Sequence, residues 1–377
     1  MEHILFPCLL VFSFLLSDSQ EKVLSVPLLK MSLFLFASAA FAVVFSLILP
    51  DAGAIASMPA MSIRLVLPAI VLMAMAVSIP PNCTIITTAA KAIVLVAIPL
   101  TLFAAATALF DMSFMVGYFI KGDEDSVWAR AFALRRFTGL FNQPLEAGVF
   151  YSVALLAFVY LAGLDWAGPK RRYLILGLIL IGGALSLSKN FIVLGVLAGL
   201  GYAVSIRMLS PTRGLAALCL AGGGFVAWLM LADEAYVNSF IDLFANGGLL
   251  LALTAGRLGS GDTEVAQLWN YLLTSGKWVT GVGLGSYLPL DNGYLEYFYQ
   301  GGIFALLGYL LFILSVLSLS IRKWSTNEAK LLLFLGLLVA ASSLGGPVVS
   351  ANRANVPLLV LVAACVSYLS AYKRSDE

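Results

Sequence analysis

The sequence predicts an all-α, polytopic integral membrane protein, a helical bundle of about 11 spans (roughly 10–12) with two long external loops. Three observations predict it. The chain of 377 residues is 61% hydrophobic and only 11% charged, a balance that no soluble domain of this length shows. Apolar runs of about 20 residues, each long enough to cross the hydrocarbon core as a helix, recur along it. The alternating ten-residue segments of a membrane β-barrel do not occur.

Taken in order, hydropathy marks spans at 4–16, 28–49, 62–79, 91–110, 145–164, 173–187, 190–206, 214–231, 297–320, 331–349 and 355–372. The first has no basic leader and no A-x-A cleavage site, so it reads as a short span rather than a signal peptide. The sixth and seventh meet at Ser188, Lys189 and Asn190. That pair is either a tight helical hairpin or one broken helix. The whole chain, 1–377, is expected to form a single membrane domain.

Basic residues orient the spans. Lys170, Arg171 and Arg172, then Arg207 and Arg213, then Arg322, Lys323 and Lys330, then Lys373 and Arg374 all fall on one side. That side is predicted to be cytoplasmic. The short loops opposite carry only Arg64, Lys189 and Arg353. The C-terminus is then inside, and an odd span number puts the N-terminus outside. Two long segments face outward, 111–144 (Asp111–Pro144) and 232–296 (Ala232–Glu296). Loops of that length are where function concentrates.

The second long segment has helical signals of its own. Asp262 is placed as an N-cap, and Val265, Leu268, Trp269 and Leu272 repeat at helical spacing. Phe240, Leu243 and Phe244 suggest another amphipathic helix. Packing over the spans is the simplest role for these apolar residues.

Several function classes are excluded or made improbable. One histidine, His3, argues against most zinc chemistry and against a histidine general base. Cys8, Cys83, Cys219 and Cys365 lie in or beside apolar segments without CxxC spacing. The strip "GVGLGS" from Gly281 lacks the third glycine and the strand–helix context of a dinucleotide fold. Its glycines suit a tight, closely packed backbone path instead. No P-loop, nucleophile elbow or DxD pair occurs. No cofactor, metal or nucleic-acid partner is expected.

The unusual feature is charge at the outer face, where it is expensive and usually functional. Arg135 and Arg136 stand in "RRFTGLFNQPLEAG", Lys189 in "LSLSKNF", Arg257 in "LTAGRLGSGD" and Arg353 in "SANRANVP". Each alone could anchor a lipid headgroup. Gathered under long external loops, they suggest an anionic ligand, with arginine offering bidentate bonds to phosphate and lysine a point charge. A diphosphate linked to a lipid fits both the charge and the place. Asp291 is the odd anion in a strip otherwise neutral until Glu296. It is either a base toward a sugar hydroxyl or a helix cap, a role Asn292 could fill equally well.

The stretches "RRFTGLFNQPLEAGVF", "LSLSKNFIVLGV", "TAGRLGSGDTEVAQLW" and "GVGLGSYLPLDNGYLEYFYQGGIFALLGYLL" resemble, in order and spacing, those of O-antigen polymerases (Wzy-type) and the related O-antigen ligases. The similarity runs from Arg135 to about Ile313. It implies a GT-C-like membrane glycosyltransferase that joins undecaprenyl-diphosphate-linked oligosaccharides, as donor and acceptor, at the periplasmic face without a required metal. A chain-length regulator protein and membrane lipids are the partners such an enzyme would have. The resemblance assigns diphosphate binding to Arg136 and Arg257, and Lys189 stands where the family often has arginine. It leaves Asn190, Arg135, Asn292 and Arg353 as further substrate contacts, and Tyr294, Tyr297 and Trp269 as surfaces for sugar rings. The ligases usually carry a histidine where this chain has Asp291–Asn292, which favours a polymerase. The rivals are a ligase moving glycan to lipid A core or protein, and a transporter or flippase of lipid-linked sugars. A transporter would show internal repeats and charges at mid-bilayer.

Overall fold

The structure, a computed structural model, describes residues 24–48, 58–110, 134–216, 264–284, 292–350 and 354–372, with a short helix at 241–246 and a few single positions besides. Among the described residues every regular element is helical. In chain order these are α1 (Val26–Ile48), α2 (Met58–Ser78), α3 (Cys83–Leu109), α4 (Pro144–Gly163), α5 (Pro169–Leu185), a π-helical turn (Asn190–Gly195) running into α6 (Val196–Ser205), α7 (Glu264–Thr274), α8 (Gly293–Arg322), α9 (Asn327–Ser342) and α10 (Asn355–Ala371). The expected span 4–16 and most of 214–231 lie outside the described residues.

Four of these helices, α1, α3, α4 and α8, are long and apolar enough to cross a membrane. The outer faces of α1, α3 and α8 agree with that. On α8, Phe304, Leu307, Leu311, Leu314 and Ile321 recur at helical spacing and are all exposed. A soluble monomer rarely presents an apolar stripe of this size, whereas lipid covers one without penalty. These are the features of a helical membrane protein.

The chain packs as two compact units, Met1–Ile86 with Gly256–Glu377, and Thr87–Ala255. In the first, α8 packs along α1 and α9, and α2 packs on α1 and α10. In the second, α4 is the centre. Every residue of it except Leu145 and Gly163 is buried, against α5, the π turn and α6. A helix that is apolar all round belongs in such a place. Pro144 and Pro169 open α4 and α5 at the first helical position, where a missing N–H costs nothing.

Three boundaries differ from the sequence reading. The span placed at 331–349 ends at Ser342; residues 343–350 are turns. Gly345, Gly346 and Pro347 cannot continue a helix cheaply. The second long loop ends at Asn292 rather than Glu296, because α8 starts at Gly293. The span placed at 297–320 is interrupted. Gly301 and Gly302 leave helical geometry, at φ −135°, ψ 17° and φ 65°, ψ −162°. The uninterrupted part, from Ile303 to Arg322, is 20 residues, about 30 Å at the rise of an α-helix and thus one hydrocarbon thickness.

The glycine strip explains that break. Val282 N–H donates to Tyr299 O at 2.7 Å, and Ile303 N–H donates to Trp278 O at 2.9 Å, so the strip hydrogen-bonds on both sides of the break. A β-carbon on Gly302 would run into the carbonyl of Val279, and one on Gly281 into the backbone of Gln300 and Gly301. Leu284 N–H donates to Ser46 Oγ at 2.6 Å, tying the strip to α1 as well. The tight backbone path expected of the strip's glycines is what the structure shows at Gly281 and Gly283, which also lies close against Ser46; Gly302 meets the strip from α8.

Helix α7 lies on α8, as its apolar periodicity predicts. Leu272 is fully buried with Leu295, Phe298 and Leu306, and Leu268 and Trp269 pack against that cluster. Gln267, Asn270 and Tyr271 are exposed. Asp262 and Phe240 lie outside the described residues. Within 241–246, Leu243 is half-buried and Phe244 exposed.

Candidate functional site

In the second unit, two turns are joined. Phe137 N–H donates to Leu185 O at 2.9 Å, and Arg136 Nη2 donates to Leu187 O at 3.4 Å. Leu187 is forced into the left-handed region at φ 47° and reverses the chain between α5 and the π turn. The question of a hairpin or a broken helix is thereby answered: these are two helices on a tight turn. Lys189 follows two residues after the carbonyl that Arg136 binds. The structure thus brings Arg136 and Lys189 to one turn, although they stand 53 positions apart in sequence. Asn190 begins the π turn, nine-tenths buried, and its Nδ2 has no hydrogen-bond partner among the described residues. Single π turns are frequent at functional sites. The turn is fixed by close packing. Ser188 occupies the space a β-carbon on Gly148 would need, and the Phe191 ring does the same at Gly183. Arg135 is different: it is exposed and sits at φ 55°.

In the first unit, Asn292 caps α8. Its side chain accepts from Leu295 N–H at 3.0 Å, and it is 4% exposed. The cap role left open between Asp291 and Asn292 therefore falls to Asn292. Of the three expected sugar surfaces, one ring is fully covered. Tyr297 is 2% exposed and its ring stacks on Tyr309, with centroids 4.3 Å apart. The Trp269 ring lies 4.6 Å from Phe298. Trp269 is partly buried, packed on the cluster between α7 and α8, whereas the Tyr297 ring is enclosed within the first unit. Tyr294 is half-buried, and its hydroxyl donates to Ala340 O at 2.7 Å. Arg257, Asp291 and Arg353 lie outside the described residues.

Sequence reasoning missed the main polar centre of this unit. Arg64 is not in a loop but on α2, with its Nη2 3.3 Å from Glu296 Oε2 and its Nε donating to Ser350 O at 3.1 Å. Ser350 Oγ donates to Glu296 Oε1 at 3.1 Å. Glu296 is fully buried. A lone acid within an apolar helix was the available signal. Around the pair stand groups without partners among the described residues: the Tyr297 hydroxyl, both amide atoms of Gln300, and Asn355 Oδ1. Gln300 is one turn from Glu296 on the same helix face, and the Tyr297 hydroxyl is within electrostatic reach of both Glu296 and Arg64.

Comparison with known proteins finds no family model that matches the chain, and no curated protein matches it in sequence.

Proposed function

We propose that the protein is a metal-independent membrane glycosyltransferase that polymerises undecaprenyl-diphosphate-linked oligosaccharide repeats into O-antigen or exopolysaccharide. The observation that carries the reading is the Arg136–Lys189 turn. Two cations singled out in sequence for a diphosphate are held at one turn, backed by tight packing and opening into a π turn. The sequence resemblance from Arg135 to about Ile313, within which both cations lie, favours the same reading.

In this reading the acceptor hydroxyl at the non-reducing end of one lipid-linked repeat attacks the anomeric carbon of the donor. The new glycosidic C–O bond forms as the bond to the lipid diphosphate breaks, and the carrier leaves as diphosphate. Arg136 and Lys189 stabilise the growing negative charge of the leaving group; the resemblance assigns diphosphate binding to Arg257 as well. Asp291 takes the acceptor proton. The reaction takes place at the periplasmic face of a bacterial inner membrane, with the C-terminus cytoplasmic.

The test is the surface glycan of cells lacking the gene, joined to polymer formation by the purified protein. A lost ladder with one capped repeat retained supports a polymerase. Loss of all glycan from its acceptor identifies a ligase instead. An unchanged ladder sinks both.

A further inference from the structure

The buried centre at Arg64 and Glu296 is built differently from the cationic turn. Its two charges cancel, so it has little net attraction for phosphate. What surrounds them is neutral and planar or hydroxylated: Ser350, Tyr297, Gln300 and Asn355. Ser350 and Arg64 each bond one carboxylate oxygen of Glu296, and each oxygen keeps a further lone pair. Arg64 spends Nε and Nη2 on Ser350 and Glu296 and keeps Nη1, and its side chain is 15% exposed while the rest of the centre is buried. Buried polar groups are nearly always hydrogen-bonded, and four atoms here lack any partner among the described residues: the Tyr297 hydroxyl, Gln300 Nε2 and Oε1, and Asn355 Oδ1. Tyr297 and Gln300 are 2% and 1% exposed. A purely structural ion pair needs none of these groups. Neighbouring hydroxyls of a sugar suit all of them, because each sugar hydroxyl both donates and accepts.

We infer that the Arg64–Glu296–Ser350 centre, with Tyr297 and Gln300, is a binding subsite for a polyhydroxylated, uncharged ligand, the acceptor saccharide. The saccharide class follows from the donors and acceptors present; its role as acceptor rests on the transferase reading above. Glu296 and Arg64 orient the sugar, while Tyr297 and Gln300 bond its hydroxyls.

The experiment uses the full chain in lipid nanodiscs. One titrant is the oligosaccharide repeat released by mild acid from lipid-linked intermediates of the cells that carry the protein. The other is undecaprenyl diphosphate. Tyr297→Phe and Gln300→Leu are each expected to weaken saccharide binding about tenfold, as loss of a buried hydrogen bond does, and to leave carrier binding unchanged. The thermal midpoint should hold or rise, because each change removes a polar group that the empty protein leaves unpaired. Unchanged saccharide affinity in both variants overturns the proposal. So does wild-type protein that does not bind the saccharide, a loss of carrier binding instead, or a fall in thermal midpoint that parallels the loss of binding. If wild-type protein binds the saccharide through Tyr297 and Gln300 yet makes no polymer from lipid-linked repeats, the subsite stands and the transferase reading falls.

Discussion

Arg64 on α2 and Glu296 on α8 form an ion pair at 3.3 Å, 232 positions apart in sequence, with the carboxylate wholly withdrawn from solvent. Ser350 completes the arrangement from the turn before α10. Three parts of the first unit are thus tied at one point. Removing one member of a buried pair strands the other charge, and the loss is about 3–5 kcal/mol. Arg64→Met and Glu296→Leu should each lower the thermal midpoint of the detergent-solubilised protein markedly. The double variant should recover most of the loss, since two apolar side chains replace two compensating charges. Single effects that simply add in the double variant would show that the pair is not coupled.

The break in α8 offers a test of the glycine strip. At φ 65°, ψ −162°, Gly302 occupies a region that only glycine adopts readily, and the carbonyl of Val279 fills the place of its missing β-carbon. Gly302→Ala should destabilise by about 1–3 kcal/mol or more. Gly177 on α5 is the control: a β-carbon there meets nothing within 4 Å. Gly177→Ala should be neutral or stabilise by roughly 0.5–1 kcal/mol. The comparison is read from thermal midpoints of the two variants beside the wild type. Equal midpoints would mean that the strip does not hold the break closed.

The helices were legible because span length and apolarity are local properties. Every expected span within the described residues contains a helix, and the amphipathic pattern at Leu268, Trp269 and Leu272 placed α7 correctly. The break at Gly301–Gly302 was not legible. Two glycines in an apolar run read as ordinary membrane-helix residues until Val279 and Gly281 are brought against them, and that approach is tertiary. The same holds for the site. The spacing of Trp269 within α7, and of Tyr297 within α8, marks a face of each helix but cannot say whether that face meets sugar or, as here, Phe298 and Tyr309. Glu296 carried a signal, as an acid in an apolar helix, yet its partner lies on α2 and no local pattern names it. Arg136 and Lys189 were singled out by their polar turns, while their meeting at Leu187 depends on how α5 ends.

The two adjacent arginines should separate cleanly. Arg136 reaches the Leu187 carbonyl and shares the turn with Lys189, whereas Arg135 is exposed in a left-handed conformation. Arg136→Lys keeps the charge but loses the planar donor fork, so polymer formation from lipid-linked repeats should fall by about tenfold or more. Arg135→Lys should change it little. Arg135→Gly should fold at least as well as wild type, because glycine takes φ 55° without strain. Full activity in Arg136→Lys at equal protein level would remove Arg136 from the diphosphate site and leave it a structural tie between two turns.

Asn292 holds the cap of α8, and this sharpens the test of its neighbour Asp291. Asn292→Ala removes the side-chain oxygen that accepts from Leu295 N–H and should lower stability by about 1 kcal/mol. Asp291 is not required for that cap, so Asp291→Asn should leave the thermal midpoint unchanged. Its effect on activity then reports chemistry alone. If Asp291 takes the proton of the acceptor hydroxyl, the amide cannot replace it, and polymer formation should fall by roughly a hundredfold or more. Saccharide affinity at the Glu296 centre should stay as it was, because binding and proton removal are assigned to different residues. The assay is initial rate of polymer formation from purified lipid-linked repeats, beside saccharide titration of the same preparation. Near-normal rates in Asp291→Asn would remove it as the base and leave proton transfer to water or to the departing diphosphate.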